Sequence, residues 1–309
     1  MLRLCFVSKV PHFLSNCRVE CNSIADARSA TETQNCRLHQ LRQDSETFFS
    51  ELRSKLPTIS MRNIRLLLAY DGSEFSGWQI QPDAPTIQRT LASAIGRVTG
   101  EKVLPQGSGR TDAGVHALGQ VATFASESPI PPANLVKALN DVLPPSIRVL
   151  EAADAASDFH ARKSAHSKTY RYRMYRDPIC SPFLARYVWH YPYPLDEDAM
   201  HQAAGLVSGE HDFTSFAAVD PERCDDETIS NVRRILVSTW KRSGGELIYT
   251  VQGNGFLHHM VRNLVGTFVL VGKSTLKPQN ISGILTARNR AAAGATAPAS
   301  GLYLVSVDY

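Results

Sequence analysis

From residue 62 onward, apolar and polar positions recur in short regular runs, and the period of each run predicts an element. NIRLLLAY (residues 63–70) reads as a strand, and the DGSEFSGWQ that follows reads as a turn rich in Gly and Ser. Thr86 is placed to cap a helix running to about Val98, with Gly100 as its stop. QVATF (120–124) predicts a strand, 133–143 a helix that ends before Pro144 and Pro145, and IRVLEAADA (147–155) a further strand. TYRYRMY (169–175) alternates with period two, so Tyr170, Tyr172 and Met174 share one face while Arg171, Arg173 and Tyr175 take the other. Helices are expected over 196–208 and 257–271, and strands at ELIYTVQG (246–253) and GLYLVSVDY (301–309). Interleaved strands and helices with hairpin-like segments predict an α+β fold with helices on one sheet face. The expected organisation is two halves, 62–164 and 165–309, whose sheets join and leave a cleft between them.

Residues 1–60 differ from the rest. They show no sustained period, contain no glycine, and are rich in Ser, Arg, Gln, Asn and Cys. The reading is an N-terminal extension that is largely disordered, with a helix near Asp44–Leu56. Arg3, Lys9 and Arg18 precede the first acid, Glu20, a weak likeness to an organelle transit peptide that Asp26, Glu32, Asp44 and Glu46 dilute. Met61 stands directly before the first strand, so an over-extended gene start explains the leader more simply. A cytoplasmic protein is expected, with mitochondrion or plastid as the alternative if the leader is a transit peptide.

Composition narrows the classes. The chain has 309 residues, 43% of them apolar, enough for a sizeable core. The longest apolar stretch, 261–271, is interrupted by Arg262, Asn263, Gly266 and Thr267, so no membrane span is predicted. Net charge is only +4, and its distribution is more telling. Between Phe159 and Arg176 lie Arg162, Lys163, Lys168, Arg171, Arg173 and Arg176, with two His and no acid. Such a block among aromatics suits either a phosphate backbone or a solvated charged face. Of six cysteines, Cys5, Cys17, Cys21 and Cys36 fall in the leader, and Cys180 and Cys224 stand far apart. Without a second ligand pair for Cys17 and Cys21, no metal site is expected.

The chemistry concentrates in GSGRTDAGVHA (107–117). A phosphate loop needs Lys and Ser or Thr after its second glycine; here Val115 and His116 follow Gly114. A dinucleotide fingerprint fails for want of a third glycine, so no nucleotide cofactor is expected. What the turn holds instead is Asp112, with Arg110 two residues before it. An ionised acid in a cleft serves as general base or nucleophile, whereas an Asp among glycines ordinarily caps a turn. His258 and His259 invite a metal reading, but adjacent helical positions point about 100° apart, which favours RNA contact or core packing.

GRTDAGVHA (109–117) resembles the catalytic signature of TruA-type tRNA pseudouridine synthases. YDGSEFSGWQIQ (70–81), DFHARKSAHSKTYRYRMY (158–175), GEHDFTSF (209–216), GNGFLHHMVRNLVG (253–266) and APASGLYLVSVDY (297–309) resemble further blocks of that family, in its order. Lys163 departs from the pattern, standing where an aromatic is usual. The resemblance implies the pseudouridine synthase fold and isomerisation of uridine to pseudouridine at positions 38, 39 and 40 of the tRNA anticodon stem and loop, without cofactor or metal. It further implies a homodimer, with Asp112 as nucleophile or base and Tyr170 as the active-site tyrosine. Arg262 is then the basic partner of the Asp, and Arg110 a holder of the flipped base or its phosphate, or a brace of the turn. The alternative is an RNA-binding or RNA-chaperone homologue that has lost catalysis, against which the presence of Asp112, Tyr170 and Arg262 argues.

Overall fold

A computed structural model describes residues 61–219 and 230–309. The expectations for the leader, including its helix and its cysteines, lie outside the described residues, as does Cys224.

The strands are β1 (Arg62–Tyr70), β2 (Gln106–Gly107), β3 (His116–Ser126), β4 (Ile147–Ala155), β5 (Ser167–Tyr175), β6 (Trp189–His190), β7 (Gly209–Asp212), β8 (Val232–Ser243), β9 (Glu246–Gly253) and β10 (Leu302–Asp308). They form one sheet in the order β4-β1-β3-β10-β5-β9-β8-β7, with β2 on β3 and β6 on β5. The C-terminal strand β10 is the join. It runs parallel to β3 (Tyr303 beside His116) and antiparallel to β5 (Leu304 beside Tyr170), which makes the sheet mixed. The loop entering β3 therefore lies one strand away from the middle of β5. That proximity creates the site.

The helices are α1 (Ile87–Thr99), α2 (Pro132–Val142), α3 (Pro182–Ala185), α4 (Glu197–Gly205), α5 (Met260–Gly272) and α6 (Asn280–Ala287). The Thr86 hydroxyl accepts from the Arg89 amide, and Gly100 closes α1 in the left-handed conformation, φ 79°, as the sequence predicts. α5 is a strongly apolar helix packed on the sheet. Its Leu264, Val265, Phe268 and Val271 are buried, and Phe268 packs edge-on to Trp240 and Tyr249 of the sheet. Each such side chain contributes about 1.5–3 kcal/mol by leaving water. In β5, Tyr170, Tyr172 and Met174 are buried and the intervening residues are not, the alternation expected from the period. Tyr172 is wholly buried and donates to the Pro298 carbonyl at 2.8 Å, a packing role.

Some boundaries differ from the sequence reading. The strand read at 120–124 spans 116–126, and the helix read at 196–208 is shorter. The helix read at 257–271 begins only at Met260, because His259 takes a left-handed conformation (φ 58°) that no helix interior allows. β8 and α6 carry no prediction at all. β8 exposes much of its length and shifts register between Ile235 and Val237, so its apolar residues do not alternate cleanly.

Candidate active site

The loop at 108–115 is held from beneath by buried polar groups. Ser108 donates its amide to the Val121 carbonyl (2.8 Å) and its hydroxyl to Gln120 Oε1 (2.6 Å). Gln120 Nε2 donates to the Gly109 carbonyl at 2.8 Å, and Thr111 Oγ1 is hydrogen-bonded to Tyr70 Oη at 2.8 Å. The Trp78 amide holds the Thr111 carbonyl at 3.0 Å. Burial pushes the Tyr70 hydroxyl up to about 12, so it stays a neutral hydrogen-bonding group. The YDGSEFSGWQ segment thus acts as a brace for the turn. Because these buried groups are paired, the loop has few alternative arrangements.

Two of the loop's glycines answer different needs. Gly114 has φ 77°, the left-handed region. Gly107 is extended but lies under Trp78, where a Cβ would come within 2.6 Å of the indole ring. Gly107→Val is therefore expected to lower stability by about 1–3 kcal/mol through overpacking, with thermal melting as the check. An unchanged melting temperature would show that Trp78 moves aside freely.

Asp112 emerges from this scaffold with its side chain 19% exposed. Arg262 Nη1 donates to Asp112 Oδ2 at 2.9 Å across 150 residues of chain, and its Nε donates to the Ala297 carbonyl at 2.8 Å. The Ala297 amide in turn donates to the Arg262 carbonyl at 3.1 Å. Buried Asn263, the next residue, fixes the surroundings: its Nδ2 donates to the Phe216 carbonyl, and its Oδ1 accepts from Arg290 and Thr296. The guanidinium is thus oriented before any substrate arrives, and a charge-assisted bond of this kind fixes the carboxylate's direction.

His258 and His259 correct the helical argument made from sequence. They precede α5, and the left-handed turn at His259 brings their rings to 4.0 Å between centroids. Both Nε2 atoms face Asp112, at 3.7 and 3.4 Å. Burial, aided by His258, Arg262 and Arg290, holds His259 below the usual histidine range against the pull of Asp112. The three side chains offer metal donor atoms within 4.8 Å of one another. The Arg262 guanidinium already occupies one Asp112 oxygen, and a divalent cation there would lie against that fixed positive charge.

A cavity of about 110 Å³ opens beside Asp112, lined by Gly109, Arg110, Thr111, Arg162, Lys168, Tyr170, Phe256 and Leu257 among others. Tyr170 is buried and meets Phe256 edge-on at 5.0 Å. Burial raises its hydroxyl well above the ordinary tyrosine range, with Tyr70 and Asp112 adding to the effect, so it is a proton donor rather than a phenolate. Asp112, Arg110 and Tyr170 thus line one cavity, and Arg262 joins the site through its bond to Asp112. Among the described residues, the ion pairs to Asp112 come from Arg262 and the two histidines, not from neighbouring Arg110. Arg162 and Lys168 of the basic run also line the cavity, as does Phe256, to which the sequence reading gave no role.

A family model for tRNA pseudouridine synthase matches residues 67–162 and 203–309. The chain belongs to the tRNA pseudouridine synthase family. Within this family of isomerases, a protein named tRNA pseudouridine synthase A from Solibacter usitatus is 53% identical over 249 residues, covering 81% of this chain and 100% of that protein. A tRNA pseudouridine synthase A from Moorella thermoacetica is 46% identical over 249 residues, covering 80% and 99%. Another from Limosilactobacillus fermentum is 44% identical over 254 residues, covering 81% and 96%. The matched segments of the synthase family contain Asp112 and Arg262. The interval between them contains Lys168 and Tyr170, which the fold brings to the same cavity. Among the described residues no helix is long and apolar enough to cross a membrane.

Proposed function

We propose that this protein isomerises uridine to pseudouridine at positions 38, 39 and 40 of the tRNA anticodon stem and loop, with Asp112 as nucleophile or base. The observation that carries the reading is Asp112, held by Arg262, in a cavity that Tyr170 also lines. The reaction breaks the C1′–N1 bond, turns the uracil, and joins C1′ to C5; the C5 proton is lost to solvent and N1 gains one. An oriented carboxylate supports either opening step, attack on the sugar or base, or removal of the C2′ proton. Reaching either atom inside a paired stem requires the uridine to leave the stack. Tyr170 then offers its ring face to the uracil, and Arg110 holds the base or its phosphate.

The basic residues at 159–176 supply the electrostatic attraction for RNA. The two halves, 62–164 and 165–309, serve as opposite walls of the cleft. A homodimer in the cytoplasm, with one tRNA touching both copies, fits the modest charge of each chain. A catalytically silent RNA chaperone would have no use for an aligned Asp–Arg pair beside a base-sized cavity.

Tyr170→Phe tests the hydroxyl separately from the ring. The variant is expected to retain KM within about threefold and lose kcat by about 10²-fold, the usual scale of one positioned proton donor. Unchanged kcat would reduce Tyr170 to a stacking surface.

A further inference from the structure

One cation in the basic run stands where proteins do not ordinarily leave one. Lys168 lies on β5 two residues before Tyr170, and so on the same face of the strand. Its Nζ donates to the Ser108 carbonyl at 2.6 Å, the backbone of the Asp112 loop. The charges that act on it are Arg162 and Arg233, and among the described residues no carboxylate pairs with it. Burial and these two cations lower its amine to about 8. A half-buried cation beside other cations is costly, which makes it a candidate for holding a ligand.

The surroundings say which ligand. Lys168, Arg162, Arg110, Asp112 and Tyr170 line one cavity. Gly109 leaves room for the amine, because a Cβ there would stand 3.1 Å from Nζ. An ammonium carries three N–H donors, and Ser108 takes one. Lys168 and Tyr170 stand two positions apart on the strand, about 7 Å, the reach from a nucleobase to its own phosphate.

We propose that Lys168, with Arg162, binds the phosphate of the nucleotide whose base enters the cavity against Tyr170. This rests on the reading of the cavity as a uridine site. The rival role is a brace that holds the Asp112 loop through Ser108.

A short stem-loop RNA with one target uridine distinguishes them. Its phosphodiester on each side of that uridine is replaced in turn by an uncharged methylphosphonate, and KM and kcat are measured for the wild type, Lys168→Gln and Lys168→Arg. For the wild type, one of the two neutral linkages is expected to raise KM about 10- to 100-fold, the scale of one charge-assisted hydrogen bond. Lys168→Gln is expected to raise KM similarly on the natural RNA, with only the smaller share left to Arg162 lost on the neutral linkage, and Lys168→Arg to stay near wild type. Wild-type KM also rises as pH passes about 8, while Lys168→Arg stays flat. Guanidinium groups in general do not titrate over that range, and Tyr170 stays neutral.

Neutral linkages that cost the Lys168→Gln variant as much as the wild type would overturn the proposal and leave the brace. The wild-type arm needs no folded variant: if neither neutral linkage raises its KM, the phosphate contact is absent. Wild-type protein that turns over no RNA would instead overturn the uridine-site reading on which the proposal rests.

Discussion

Asp112→Asn is expected to slow pseudouridine formation by about 10⁴-fold or more, the scale on which removal of a nucleophile or base is felt. The substitution keeps the side-chain shape and still lets an amide oxygen accept from Arg262 Nη1, 2.9 Å away in the wild type. What it removes is the electron pair that attacks or takes a proton. The loop that carries the residue is fixed by Ser108, Gln120, Thr111 and Tyr70 rather than by the carboxylate itself, so the fold should survive. tRNA affinity is expected to change by no more than a few-fold, since one carboxylate contributes little to binding a polyanion. Single-turnover formation of pseudouridine in digested tRNA, alongside a dissociation constant for the same variant, separates the two quantities. A loss of affinity that accounts for the lost rate would place Asp112 in binding and not in chemistry.

The second large effect is expected at Arg262. Its guanidinium spans two fixed points, the Ala297 carbonyl and Asp112, with only 15% of the side chain exposed. Arg262→Gln leaves a largely buried carboxylate without its full countercharge, so both rate and stability should fall. The expected loss is about 10²- to 10³-fold in kcat, comparable to removing one preorganised electrostatic contact, with about 2–4 kcal/mol of stability lost as the pair is broken. Arg262→Lys should recover only part of either, because an ammonium is a point donor that cannot copy the guanidinium fork holding both partners. Paired measurements of kcat/KM and thermal unfolding check this. Full recovery by lysine would show that charge alone matters and that the bridge to Ala297 does not.

The legible parts of this molecule were those written in local pattern. Thr86 and Gly100 bound α1 because caps act within a few residues, and the alternation of TYRYRMY put Tyr170 on a buried face. The acid in GSGRTDAGVHA was visible because the lysine of a phosphate loop was missing. Its partner was not visible from spacing: Arg262 lies 150 residues away, and β10 lies between β3 and β5 in the sheet that carries the site. Resemblance to a family supplied that pairing; periodicity did not. The two histidines were misjudged because one left-handed residue, His259, replaces helical geometry with a turn that aims both rings at Asp112. Lys168 carried a signal that was passed over. Counting back by two from Tyr170 places it on the apolar face of β5, where a lysine is out of place, whereas the basic run alone looks like a solvated surface.

The most direct measurement is tritium release from tRNA labelled with [5-³H]uridine, with the wild-type protein beside Asp112→Ala. Formation of a C1′–C5 bond must expel the hydrogen at C5, so release into water counts turnovers of this reaction. The wild type is expected to release the label, and the variant to release none above background while still binding tRNA. Undiminished release by Asp112→Ala would contradict the account, because the aligned carboxylate would then have no part in the chemistry.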